Sequence, residues 1–180
     1  LEYPTIFEAY LALYLTIEAK AHPVAACQLL SEIPLDLFTE YPSILSSHPV
    51  LLLISRIVGA RDEFEEFEIE SLVTYVIEKI DLLDFRDLVL VAKIIFSLFI
   101  KGGFVFRKWF IESRLFESIM CLFDLDDSSL QNEITQILTF VLSSDPHLIK
   151  EYIDIDQIAL IIDEKCIHSL EGALAEMQQS

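Results

Sequence analysis

The residues in this chain that could do chemistry are few and scattered. His22, His48, His147 and His168 lie far apart, three of them beside prolines, and none stands at a metal-ligand spacing or next to an evident nucleophile. Cys166 and His168 are two residues apart, which on a helix turns them away from each other. Asp62-Glu-Phe-Glu-Glu-Phe-Glu-Ile-Glu70 packs six carboxylates into nine residues. It lacks the alternating oxygen ligands around a central glycine that a calcium loop uses, so it reads as a solvated helix held down by Phe64, Phe67 and Ile69. Asp124, Asp126 and Asp127 have calcium-compatible oxygens but serve equally well as the start of a helix. Gly102-Gly103 stands alone as a turn, and neither a phosphate-cradling loop nor a nucleophile elbow is present. The expectation is no catalysis, no cofactor and no metal site.

One patch interleaves aromatics and cations: Phe104, Phe106, Trp109 and Phe110 with Arg107 and Lys108. That pattern can stack nucleic-acid bases. A formal net charge of −18 opposes it, because a backbone of phosphates is bound by neutralising it with Lys and Arg. Packing between helices is the better account of the aromatics, and no nucleic-acid partner is expected.

Composition sets the class of element that positions these residues. The chain is 53% apolar, with four Gly and six Pro in 180 residues, which favours helices joined by short connections over a turn-rich β fold. The longest apolar run, Leu88 to Ile100, is thirteen residues and carries Lys93. A bilayer span needs ~20, so no membrane insertion is expected. Cys27, Cys121 and Cys166 show no paired spacing and read as buried free thiols of a reducing compartment, cytoplasm or nucleus. The chain opens without a methionine or a signal-peptide pattern, and we expect it to be a fragment of a longer one.

An octapeptide pattern recurs along the chain: Ala9-Tyr-Leu-Ala-Leu-Tyr-Leu-Thr16, Val50-Leu-Leu-Leu-Ile-Ser-Arg-Ile57, Val91-Ala-Lys-Ile-Ile-Phe-Ser-Leu98 and Ile134-Thr-Gln-Ile-Leu-Thr-Phe-Val141, at steps of 41, 41 and 43 residues. Positions one, four, five and eight are apolar in every copy except at Thr16, so one helix face is buried each time. A second pattern runs in phase, with Leu72, Val73, Val76, Ile77 and Ile80 matching Leu115, Phe116, Ile119, Met120 and Phe123; a weaker copy begins at Ile158 and Ala159. Shorter apolar pieces at His22 to Ser31, Glu63 to Ile69, Gly103 to Ile111 and His147 to Ile153 predict a short first helix in each unit. The polar loops Asp81-Leu-Leu-Asp84 and Asp124 to Ser129 predict N-caps for the long helices.

The predicted fold is therefore all-α: a single helical-repeat domain over residues 1–180, with about four to five stacked units of ~42 residues. Partial repeat 1–19 precedes repeats at about 20–61, 62–103 and 104–146, and partial repeat 147–180 follows.

The stretch from Arg114 to Ser144, with its middle helix, acidic Ser-containing loop and long third helix, followed by Asp145-Pro-His-Leu-Ile-Lys-Glu-Tyr-Ile153, resembles the armadillo repeat family. The resemblance covers the rhythm of most of the chain and implies an armadillo-like right-handed α-α superhelix, an α-solenoid whose concave face holds a protein or peptide. The two-helix HEAT repeat has an overlapping period and is the alternative. In the importin-α branch, third helices offer a Trp and, four residues on, an Asn to that groove. The matching positions here are Leu11 and Leu15, Leu52 and Arg56, Lys93 and Ser97, and Gln136 and Phe140. None is Trp or Asn, so recognition of nuclear localisation signals does not carry over. The family's glycine between first and second helices is also missing, since Arg114 and Asp156 fall near its place.

Positions three and seven of each octapeptide share a face roughly opposite the apolar stripe, and stacking would align those faces into one channel. With Leu11, Leu15, Leu52, Arg56, Lys93, Ser97, Gln136 and Phe140 along it, an acidic or mixed apolar segment fits better than a basic one. The expected function is a non-catalytic protein-interaction scaffold or adaptor binding a protein or peptide partner. The alternative is a structural or regulatory subunit of a larger complex, using helix edges or repeat ends, and a weaker one is an importin-α-like transport adaptor.

Overall fold

A computed structural model of the chain describes residues 47–64, 66–113, 115–144 and 146–152, together with positions 28, 30, 33, 35, 38, 156, 159 and 175. All regular structure among the described residues is helical. The elements are α1 (His48–Ala60), α2 (Glu66–Glu78), α3 (Phe85–Lys101), α4 (Gly103–Glu112), α5 (Leu115–Cys121), α6 (Ser128–Ser144) and α7 (Pro146–Tyr152), with 3₁₀ turns at Ile80–Leu82 and Leu122–Asp124.

Helices α1, α3 and α6 carry the octapeptide stripe, and every stripe residue on them is buried. Val50, Leu53, Ile54 and Ile57 of α1, Val91, Ile94, Ile95 and Leu98 of α3, and Ile134, Ile137, Leu138 and Val141 of α6 all join one core. Helix α3 packs against both of the others. Cross-helix contacts show that the three run in the same direction. His48 at the start of α1 meets Asp87 at the start of α3, while the last-turn carbonyls of α1 meet Lys101 at the end of α3. Lys93 and Phe96 of α3 likewise meet Glu133 and Phe140 of α6 in the same order. The copy at Ala9 to Thr16 lies outside the described residues.

The entry into α3 and α6 is built the same way twice. A 3₁₀ turn ends at an extended leucine, Leu83 or Leu125, and an aspartate then caps the helix. Asp84 Oδ1 accepts from the Asp87 amide at 2.9 Å, and Asp127 Oδ1 accepts from the Leu130 amide at 2.8 Å. Each cap satisfies an amide that no helical carbonyl can reach. Helix α1 is 13 residues long against 17 for α3 and α6. Pro49 is the reason: without an amide hydrogen it is tolerated only in a first turn, so α1 starts at His48.

The sequence reading places a short helix at Glu63 to Ile69 ahead of a middle helix, but the structure has one continuous α2 there. Neither Gly nor Pro interrupts residues 66–78, so nothing local stops propagation. The next unit does divide, into α4 and α5, with Ser113 closing α4 and its hydroxyl donating to the Phe110 carbonyl. Between α3 and α4 the chain turns sharply at Gly102-Gly103. Gly103 has φ +70°, and a Cβ on Gly102 would sit 2.7 Å from the Leu98 carbonyl oxygen. That turn lets Phe106 and Phe110 fold back on Phe99, edge-on, at 5.8 and 4.9 Å between ring centres.

Cys121 corrects an expectation. It is a free thiol but an exposed one, because Phe116, Ile119 and Met120 form the buried side of α5 and the next residue points away from it. Cys27 and Cys166 lie outside the described residues. Among the described residues, no helix is long and apolar enough to cross a membrane.

Candidate functional site

Leu52 and Arg56 project from α1, Lys93 and Ser97 from α3, and Gln136 and Phe140 from α6. None of the six is buried: Arg56 and Lys93 are exposed and the other four are half-buried. Leu11 and Leu15 lie outside the described residues. The parallel order of the three helices puts the six on consecutive neighbours rather than on unrelated surfaces.

Their chemistry divides along the stack. Among the described residues Arg56 has no ion-pair partner, whereas Lys93 Nζ stands 3.9 Å from Glu133 Oε1, a long and half-exposed pair of little energetic weight. Phe140 is held in place. Its ring meets Phe96 edge-on at 6.3 Å, and the Arg107 guanidinium lies 5.6 Å from its centre while also donating to the Phe99 carbonyl at 3.2 Å. Beside Gln136 and Phe140, the hydroxyls of Thr135, Thr139 and Ser143 each donate to the carbonyl four residues back, so those donors are spent on their own helix. The α1 and α3 part of this face is cationic, and the α6 part is aromatic and weakly polar.

Phe96 and Arg107 contact this face and were not legible as part of it. Each meets Phe140 across a helix boundary, and no local spacing encodes that. The aromatic and cationic patch of α4 is split by the fold: Phe106 and Phe110 are buried, Trp109 is partly covered and Phe104 stays 52% exposed.

Among the described residues, the remaining reactive groups do not converge. His48 is bound to Asp87, and His147 is exposed on α7; His22 and His168 lie outside the described residues. Asp62 and Glu63 are exposed, as are Asp124 and Asp126, while Asp127 is the cap of α6. No group of three or more His, Cys, Asp or Glu among the described residues is placed to hold a metal ion. The Tyr152 phenol is pushed up to about 12, first by its hydrogen bond to the Glu112 carboxylate, then by partial desolvation and by the negative charges of Glu112 and Glu151. Compared with known protein families, with characterised proteins and with solved structures, the chain matches none.

Proposed function

We propose that this chain is a non-catalytic protein-interaction scaffold or adaptor, an armadillo-like right-handed superhelix that holds an extended segment in the concave groove lined by its long third helices. One observation carries the reading. Three parallel helices bury the same stripe, and the residues at positions three and seven of each, Leu52 to Phe140, all remain accessible. A face built of consecutive helices in register can meet an extended chain at several points at once. Arg56, exposed and without an ion-pair partner among the described residues, and Lys93, only loosely paired, favour an acidic or mixed apolar segment.

A photo-crosslinking amino acid at position 56 or 93 in the intact chain should capture a partner that one on the exposed side of α5, at Glu117, does not. Arg56→Glu with Lys93→Glu should then reduce recovery of that partner. Equal recovery from the charge-reversed chain would remove the long-helix face from the reading.

A second reading, a subunit of a larger assembly that uses helix edges, is favoured by Leu82 and Phe85. They leave 71% and 51% of their surface in water at the amino end of α3. Leu82→Asp with Phe85→Asp would abolish association under that reading and leave it intact under the first.

A further inference from the structure

We draw no further inference here: the strongest candidate, the exposed apolar patch that Ile100, Phe104 and Val105 form around the Gly102-Gly103 turn, carries none, because nothing in the structure shows what covers it.

Discussion

His48 Nδ1 lies 2.5 Å from Asp87 Oδ1, and this contact ties the amino-terminal ends of α1 and α3 across 39 residues of sequence. Asp87 is 6% exposed, the one buried charged residue among those described. A buried carboxylate is tolerated when its hydrogen bonds are made. His48→Ala should therefore destabilise the fold by about 1–3 kcal/mol, because it leaves that acceptor unmet. His48→Ala combined with Asp87→Leu should cost less than the sum of the single changes. Urea denaturation of the four proteins measures the coupling, and strict additivity would show that the contact contributes nothing.

At the other end of the same helix pair, Lys101 Nζ donates to the carbonyls of Val58, Gly59 and Arg61 at 3.0, 2.7 and 2.6 Å. A cation at a helix carboxyl end meets unpaired carbonyls and the negative end of the dipole. Lys101→Met should cost about 1–2 kcal/mol and speed hydrogen exchange in the last turn of α1. Unchanged exchange there would mean that Lys101 does not hold that end.

The two glycines at positions 59 and 103 should respond oppositely to alanine. Gly59 lies in the last turn of α1 with open space where a Cβ would go, so Gly59→Ala should stabilise by about 0.5–1 kcal/mol. Gly103 has φ +70°, and Gly103→Ala should destabilise by about 1–2 kcal/mol. Melting curves of both variants decide it, and shifts of the same sign would contradict the turn geometry.

Stripe and outward face should differ just as clearly. Ile137 is fully buried on α6, and Ile137→Ala should cost about 2–5 kcal/mol. Arg56→Glu on exposed α1 surface should stay within about 0.5 kcal/mol. Comparable losses would place Arg56 in the packing and not on a binding face.

Tyr152 supplies a pH signature. Its hydrogen bond to Glu112 favours the neutral phenol, raising the folded pKa to about 12 from an ordinary value of 10.0. The stability this contributes is whole below pH 10 and is lost as pH rises through 12. Tyrosinate absorbance of the native chain minus that of Tyr152→Phe should titrate near 12, and Glu112→Gln should bring the midpoint back toward 10. A midpoint near 10 in the unaltered chain would show that the hydrogen bond is absent in solution.

Local chemistry made much of this architecture readable before any coordinates. The apolar offsets of the octapeptides mark the buried stripe because a helix places every third and fourth residue on one side, whatever it packs against. Asp84 and Asp127 read as caps because a short acceptor beside a helix start satisfies its own neighbours' amides. Pro49 and the uninterrupted run of residues 66–78 were local signals too, but the repeat rhythm divided α2 at Ile69, where no Gly or Pro stands.

Which polar groups meet across the stack was decided only in three dimensions. His48 finds Asp87, Lys101 finds the end of α1, and Arg107 and Phe96 find Phe140 because parallel neighbours lie at a particular offset and rotation. A periodic pattern requires that the stripes be covered but leaves that offset free, since several registers bury the same apolar area. The exposure of Phe104 beside buried Phe106 has the same origin. Composition joined them in one aromatic patch, and the Gly102-Gly103 turn set the rotation of α4 that separates them.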